Sequence, residues 1–448
     1  MSNDVLRHRE LMVSGSIDRA ILHLGAPAAA AALLQAGFLV VDTFWLGRVG
    51  PVALAAASTA GFMMWLAQTL GDGAASGSGS VLSRTVGEGD RGAAARAAAA
   101  GQALGVWGSS LVSTAGLLSS HAIFAFMGTA PAVTGDGLHY MWVILIGMPA
   151  YFLFVWLSAA FRAVGDAKTP LKLLALAAAV NLIVDPLLIF GLGPLPALGV
   201  TGAALATVLS WLVALAWGWV LLGRLGIRPQ PFAFLRPPRS ETWRALRVGL
   251  PLGLEGALFS LIYILLTRVI TSFGTPAVAA LGIGHKLEVL NYFVCAGMGA
   301  AATTLVGQNL GAGDPRRAVR TAWRTLFLTC LPVGAVTMAL VSFPEVAIGV
   351  FSNDAEVVAA GTTYVLLVGL TQLFMAAEVV LLGAFAGAQW TVVPATVEIG
   401  FTAARVPLAM FLVAAGWGVE AVWVAIAVTT VVKGTLLALL FAMRYGRN

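Results

Sequence analysis

Twelve long apolar stretches constrain the fold of this 448-residue chain more than any other feature. A helix needs about 20 apolar residues to cross the hydrocarbon core of a bilayer, and each stretch is longer than that. They lie at 17–46, 52–81, 93–118, 133–160, 168–192, 199–222, 243–272, 277–307, 318–343, 356–383, 391–414 and 417–443. Charged residues make up 10% of the chain, less than half of the roughly 25% found in soluble domains. We therefore predict an all-α polytopic membrane protein with twelve transmembrane helices, and we exclude soluble, disordered and fibrous folds.

The Lys and Arg residues mark one side of the membrane. Of the 26, 21 lie in the terminal segments and in the loops on one side, whereas the opposite loops hold only Arg48 and Arg268. By the positive-inside rule both termini are predicted to be cytoplasmic, so the net charge of +6 does not indicate nucleic-acid binding. The polar N-terminal segment predicts no secretory signal peptide. Cys295 and Cys330 are too few for a disulfide framework and are interpreted as buried packing thiols.

The second half of the chain repeats the first at an offset of 224 residues. Three pairs of motifs match without a gap: LGAP (24–27) and VGLP (248–251), GPVALAA (50–56) and GTPAVAA (274–280), GEGD (87–90) and GAGD (311–314). Because each repeat contains six spans, both halves enter the membrane from the same side, as parallel repeats do.

This repeat predicts two six-helix lobes joined by a basic connector. We place the N-lobe with helices 1–6 at residues 1–223, a cytoplasmic linker at 224–242, and the C-lobe with helices 7–12 at 243–448. Pro27 and Pro251 occupy matching positions in the first helix of each lobe, where each is expected to kink the helix.

Ionisable residues inside the apolar stretches are unfavourable in a bilayer and therefore mark functional hypotheses. The chain has ten: Asp42, Asp72, Asp185, Glu255, Lys286, Glu288, Glu378, Glu398, Arg405 and Lys433. Asn181 and Asp185 are four residues apart and project together from one helix. A site of carboxylates, an amide and a hydroxyl suits a hard cation, and a carboxylate pair can equally hold one proton.

Several longer motifs keep their order along nearly the whole chain. They are DTFWLGRVGPVALAA (42–56), FRAVGDAKTP (161–170), NLIVDPLLIFGLG (181–193), GVTGAALATV (199–208), VGQNLGAGDPRRA (306–318) and GAFAGAQWTVVP (383–394). Together they resemble the multidrug and toxic compound extrusion (MATE) family. GLPLGLEGALFSLIY (249–263) and GIGHKLE (282–288) are most similar to the branch named after DNA-damage-inducible protein F.

The resemblance implies a function. It implies a two-lobed exporter in the bacterial inner membrane that exchanges small lipophilic or cationic compounds for protons or sodium ions by alternating access. Residues at the motif positions of Asp42, Asn181, Asp185 and Thr207 form the cation-coupling site of the family, and Ala203 is a candidate carbonyl donor. The first four would be the metal ligands if the ion is sodium. No cofactor is implied beyond this coupling cation, either H⁺ or Na⁺.

The same hypothesis assigns a hinge and a substrate cavity. Pro27 is expected to let span one bend when the acid pair is neutralised, and Gln35, Asp42 and Glu255 are expected to line the cavity. An alternative interpretation is structural: Asp185 would satisfy the backbone that Pro186 disrupts. By the same interpretation, Asp42 would be an interfacial acid near Arg48.

The repeat sharpens this assignment, because the polar positions do not recur in the second half. At the 224-residue offset, Asp42 falls on Leu266 and Asp185 on Ala409. We therefore expect the functional acids to concentrate in the N-lobe. In the C-lobe, Glu398 and Arg405 are seven residues apart and are predicted to form an internal pair, either directly or bridged by a third helix. The roles of Glu255, His285, Glu378 and Arg405 remain open.

Other classes of function fit the sequence less well. GEGD and GAGD lack the lysine and hydroxyl of a phosphate-binding loop, so they predict tight turns and no nucleotide site. No nucleophile–base motif appears, so an enzyme is not expected. A lipid-precursor flippase is the main alternative, but the intramembrane acids outnumber the bases seven to three. A passive channel would need a symmetric polar lining. We expect a monomer in the lipid bilayer.

Overall fold

The structure is a computed structural model that describes residues 3–191, 196–227, 229 and 232–445. Part of the predicted linker and residues 192 and 193 of a family motif lie outside these described residues. Fifteen α-helices occur in the described part: α1 (Asn3–Val13), α2 (Ile17–Val49), α3 (Pro51–Glu88), α4 (Arg91–Met127), α5 (Pro131–Ala163), α6 (Lys168–Phe190), α7 (Gly199–Arg224), α8 (Arg239–Thr271), α9 (Thr275–Gly311), α10 (Pro315–Ser342), α11 (Pro344–Gly349), α12 (Ala355–Gly369), α13 (Gln372–Gly387), α14 (Val392–Ala414) and α15 (Glu420–Tyr445).

The all-α membrane architecture is confirmed. Within the described ranges, eleven helices are long and apolar enough to cross a bilayer. The tenth predicted span is a broken one: α12 and α13 meet at an angle of 52°, and together they complete a set of twelve. The Thr371 hydroxyl, at the break, donates to the carbonyl of Val368 at 2.7 Å.

The two halves of the chain have the same packing order. In the first half α3 packs against α4 and α5, and α6 packs against α7. In the second half α9 packs against α10, α12 and α13, and α14 packs against α15. Each half also has its own buried apolar core, which includes Leu157 and Phe161 in the first and Tyr364 and Trp423 in the second. The predicted pair of six-helix lobes related by a parallel repeat is therefore confirmed.

The GEGD and GAGD motifs form the tight turns that the sequence predicts. Gly89 and Gly313 both have φ of +79°, a left-handed conformation that glycine adopts without strain. The next residue in each turn caps the following helix: Asp90 accepts from the N–H of Gly92 at 2.8 Å, and Asp314 accepts from the N–H of Arg317 at 2.8 Å.

Glycine lets the two lobes meet at backbone distance around a pseudo-two-fold axis. A Cβ atom added to Gly87 of α3 would overlap the backbone of Gln308 in α9. A Cβ atom added to Gly311 of α9 would overlap the backbone of Arg84 in α3. Positions 87 and 311 differ by the 224-residue offset, and so do 84 and 308. The two contacts are therefore the same contact with the halves exchanged.

The same symmetry extends along the lobe interface. Gly73 of α3 lies directly against the backbone of Gly253 in α8, and Gly297 of α9 lies directly against the backbone of Ala29 in α2. These pairs are also related by 224 residues. Close approach through small residues is typical of helix association in lipid, because packing replaces the hydrophobic effect as the driving force there.

Helix α1 connects both lobes at the end predicted to be cytoplasmic. The Arg9 guanidinium donates to the carbonyl of Gly87 at 2.7 Å, at the C-terminal end of α3. Arg317 of α10 donates to the carbonyl of Met12 at 3.3 Å, at the C-terminal end of α1. Cations at helix C-termini satisfy free carbonyls and complement the helix dipole. In this conformation the lobes are held together at that end.

We expect Gly87→Ala to destabilise the protein, because the added methyl group overlaps the backbone of Gln308 and neither helix can yield locally. Overpacking of this kind lowers the free energy of unfolding by about 1–3 kcal/mol. Thermal melting in detergent would measure the loss. Gly61→Ala, on the same helix, is the matched control, because a Cβ atom there has nothing within 4 Å. Equal melting temperatures for the two variants would contradict the interface described above.

Candidate ion-coupling site

Two aspartates meet inside the N-lobe. The carboxyl groups of Asp42 on α2 and Asp185 on α6 lie within hydrogen-bonding reach of one another. Asn181, one helical turn before Asp185, donates from Nδ2 to Asp185 Oδ1 at 3.2 Å and also reaches Asp42. Asp185 and Asn181 are 0% and 1% exposed, whereas Asp42 is half-buried. The sequence-based prediction that these three side chains come together agrees with this geometry.

The pair lacks a counter-ion, and one oxygen of each carboxyl lacks a hydrogen-bond donor. Asp42 Oδ1, Asp185 Oδ2 and Asn181 Oδ1 are buried without a hydrogen-bond partner. Among the residues that the structure describes, no Lys or Arg forms an ion pair with either aspartate. Two ionised carboxylates cannot donate to each other, so one added proton or one bound cation would supply what the pair lacks.

Tyr140 is a neighbour of this pair that the sequence analysis missed. It lies on α5, is 5% exposed, and is close enough to both carboxyls to interact with their charges. Its position follows from the packing of α5 against α6 and α7. The only sequence signal was an aromatic hydroxyl in an apolar span, a signal too common to single it out.

The remaining predicted site residues lie near the pair or along the same helices. Ala203 and Thr207 on α7 are 2% and 3% exposed, and no hydrogen bond joins either to the aspartates in the described part of the chain. Gln35 is exposed on α2, and Pro27 lies inside that helix, with its ring half-buried. Their roles as ion ligand, cavity residue and hinge therefore stay predictions.

The C-lobe has a buried polar cluster of its own, so buried acids occur in both lobes, whereas the concentration of the functional acids in the N-lobe stays a prediction. Lys433 Nζ on α15 donates to Glu378 Oε1 at 2.6 Å, to Glu398 Oε2 at 2.8 Å and to Thr402 Oγ1 at 3.2 Å. The Lys433 and Glu398 side chains are each 1% exposed. The lysine and the two glutamates come from three helices, so no comparison of equivalent positions in the two halves could find them.

Glu398 and Arg405 form no direct ion pair among the described residues, and α15 bridges them, which is the second form of the prediction. Arg405 instead donates to three hydroxyls: Thr429 at 2.9 Å, Tyr263 at 2.9 Å and Thr430 at 3.0 Å. Glu398 pairs with Lys433 because α15 packs between the two positions on α14. A seven-residue spacing places two side chains on one face, but a neighbouring helix supplied better partners for both.

His285, whose role the sequence left open, and Glu288 both contact tyrosine side chains of the C-lobe. The His285 ring lies 5.0 Å from the ring of Tyr263 and 6.2 Å from that of Tyr364, measured between centroids. Glu288 Oε1 accepts from the Tyr364 hydroxyl at 3.0 Å. Both residues therefore connect α9 to other helices of the C-lobe.

Acidic residues of both lobes surround Tyr292. This tyrosine of α9 is 49% exposed and interacts with the charges of Asp72 on α3, Glu255 on α8 and Glu378 on α13. Asp72 accepts from the Tyr151 hydroxyl at 3.2 Å. Glu255, predicted to line a cavity, is half-buried and faces the Lys433 cluster across this space. The region between the lobes is thus acidic on both sides.

Comparison with known proteins identifies the family. The MatE family model matches residues 27–187 and 251–411, two segments of equal length whose positions differ by the 224-residue offset of the repeat. Together these segments cover more than two thirds of the chain. The chain belongs to the MatE family.

Three known proteins place this MatE protein among its relatives. It is 28% identical over 434 residues to a "Probable multidrug resistance protein NorM" of Thermotoga maritima, across 95% of this chain and 92% of the relative. It is 28% identical over 371 residues to an "FAD transporter" of Shewanella oneidensis, across 81% and 80%. Its fold matches an outward-facing multidrug resistance MATE family transporter with a TM-score of 0.91, at 22% identity and 100% and 99% coverage. The similarity to one particular MATE branch stays a prediction.

We expect Arg405→Met to destabilise this MatE protein, because it removes three charge-assisted hydrogen bonds from the C-lobe core. The expected loss of unfolding free energy is about 2–4 kcal/mol, measured by thermal melting in detergent. Lys286→Met removes an exposed cation from the same lobe and should change stability by less than about 0.5 kcal/mol. Equal destabilisation by both variants would contradict a structural role for Arg405.

Proposed function

We propose that the chain is a secondary active multidrug efflux antiporter that exports lipophilic or cationic organic compounds in exchange for protons or sodium ions. The single observation that carries this proposal is the Asp42–Asp185 pair, which lies inside one lobe with one undonated oxygen on each carboxyl and no ion-pair partner among the described residues. An uncompensated acid pair inside a membrane protein needs an external cation. Such a pair can couple cation entry to a change in conformation.

The contact between the two carboxyls favours the proton as the coupling ion. A direct carboxyl–carboxyl hydrogen bond requires one shared proton, and the pair lies within that reach. A sodium ion would use Asp42, Asn181, Asp185 and Thr207 as ligands. No group of three or more His, Cys, Asp or Glu in the described residues has a geometry that could hold a metal ion. Sodium coupling therefore depends on amide and hydroxyl ligands, and transport experiments decide between the ions.

The space between the lobes supports a cationic substrate. Asp72 and Glu255 approach it from opposite lobes around Tyr292. Aromatic rings line part of it: Trp65 of α3 and Phe259 of α8 pack edge to face with centroids 6.3 Å apart. Acidic groups attract an organic cation and repel an anion such as a dinucleotide, and aromatic faces bind cations. The charge of this space thus argues against the FAD-transporting activity named for one relative.

The proposed cycle has two coupled steps. Protonation of the aspartate pair removes the charge repulsion within the N-lobe, and α2 bends at Pro27, which reshapes the cavity and expels the substrate. The lobes then rotate about their glycine-lined interface and open at the opposite end. That opening must break the contact between Arg317 of the C-lobe and the carbonyl of Met12 at the end of α1.

The proposal also includes the lobe boundaries, the side of the membrane on which the termini lie, and the oligomeric state. We propose the lobe boundaries given by the sequence, with an N-lobe at 1–223, a linker at 224–242 and a C-lobe at 243–448. Both termini lie in the cytoplasm, and the protein resides as a monomer in the bacterial inner membrane. Cytoplasmic loops rich in Lys and Arg support this orientation.

We expect Asp42→Asn and Asp185→Asn to abolish ion-driven transport, because an amide cannot carry the exchangeable charge, while membrane insertion stays normal. Proteoliposomes loaded with a fluorescent organic cation, under an imposed pH or sodium gradient, measure the effect. Loss under the pH gradient alone identifies the proton as the coupling ion, and loss under the sodium gradient alone identifies sodium.

Asp136→Asn is the matched control for these variants. It makes the same chemical change in the same lobe, but the side chain is exposed near the start of α5. Transport by this variant should equal that of the unmodified protein. Undiminished export by both Asp42→Asn and Asp185→Asn would overturn the site assignment.

A further inference from the structure

The two lobes compensate their buried acids in different ways. In the N-lobe, Asp42 and Asp185 have no cationic side chain as an ion-pair partner among the described residues. In the C-lobe, Glu378 and Glu398 both pair with Lys433. A charge that is removed from water must be paired, so each acid pair needs a cation from some source.

The ammonium of Lys433 is held as a bound cation would be held. It has three N–H donors and makes three contacts, with two carboxylates and one hydroxyl, at 2.6, 2.8 and 3.2 Å. These ligands come from α13 and α14, while the lysine comes from α15. Two carboxylates and a hydroxyl are also the oxygen ligands that hard monovalent cations prefer.

Two further oxygens border the site without a donor. Glu378 Oε2 and Glu398 Oε1 are buried, and neither has a hydrogen-bond partner. If the ammonium were absent, four carboxylate oxygens and the Thr402 hydroxyl would face one another. That set would provide five oxygen ligands around a buried space.

The charges around the Lys433 ammonium are balanced, unlike those of a general acidic pocket. Arg405 on α14 interacts with both Glu378 and Glu398, so the two inner acids face two cations of the chain itself. Glu255 on α8 faces the cluster from the space between the lobes. Glu288 on α9 lies further along, bonded to Tyr364 and also interacting with Arg405.

We propose that Lys433 is a tethered cation that occupies a second cation site, formed by Glu378, Glu398 and Thr402 in the C-lobe, and thereby confines ion coupling to the N-lobe pair. The confinement of ion coupling to the N-lobe rests on the proposed antiport function. The binding site itself can be tested without transport.

The decisive variant is Lys433→Met, which removes the ammonium and keeps most of the side-chain volume. Purified protein would be melted in detergent with sodium chloride exchanged for choline chloride at constant ionic strength, over a range of pH. We expect Lys433→Met to gain a stabilisation by Na⁺ at constant pH, with a rise in Tm of about 3 °C or more that the unmodified protein lacks. The double variant Lys433→Met/Glu398→Gln should lose that gain.

Lys286→Met is the matched control, because it deletes an exposed lysine from the same lobe and should gain no cation dependence. A Lys433→Met protein that folds but gains no stabilisation by Na⁺ would overturn the proposal, since a lysine that only joins three helices predicts lower stability and a dependence on pH alone, from the buried acids it leaves unpaired.

A second measurement covers the case in which Lys433→Met does not fold. Addition of tetraphenylphosphonium to weakly buffered protein reports protons released when a cationic substrate binds. Glu398→Gln, which keeps Lys433, should release as many protons as the unmodified protein, whereas Asp185→Asn should release fewer. Loss of release in Glu398→Gln would overturn the proposal. Where Lys433→Met does fold and gains cation dependence, normal proton release by Asp185→Asn would mean that the proposed N-lobe coupling fails and that the C-lobe site stands.

Discussion

The backbone contact between the two lobes is the constraint on which the rest of the structure depends. Lipid offers no hydrophobic force to hold helices together, so the lobes associate through close packing of small residues. Gly87 against Gln308 and Gly311 against Arg84 are the same contact repeated with the halves exchanged. A twofold arrangement of this kind keeps both lobes equivalent as rigid bodies. Differences in function between them must therefore arise from side chains within each lobe.

The buried acidic side chains differ between the lobes in whether the chain itself supplies their counter-ion. The N-lobe contains an acid pair without an internal cation, and the C-lobe contains an acid pair neutralised by the chain's own lysine. A buried ion pair contributes little net stability compared with apolar packing, whereas an unpaired buried charge is strongly destabilising. The neutralised pair of the C-lobe is therefore suited to a fixed structure, and the unpaired acids of the N-lobe are suited to a charge that comes and goes.

Much of the fold could be read from the sequence, because its signals are local or periodic. The spans follow from apolar length, the 224-residue offset follows from matching motifs, and the Asn181–Asp185 pairing follows from a helical turn. The Lys433 cluster could not be read in this way, since its members lie at 378, 398 and 433 and meet only when three helices pack. Spacing on α14 alone could suggest that Glu398 and Arg405 interact, but it could not identify the residues of α15 that bridge them. Tyr140 shows the same limit for a neighbour contributed by another span.

The break between α12 and α13 has a mechanical consequence. Its counterpart in the first lobe, α5, is one helix from Pro131 to Ala163, with Pro149 inside it. In the second lobe the span is divided by the 52° bend into two helices, and Glu378 lies on α13. The direction of α13, and with it the position of the ammonium-bound Glu378, is therefore set separately from that of α12.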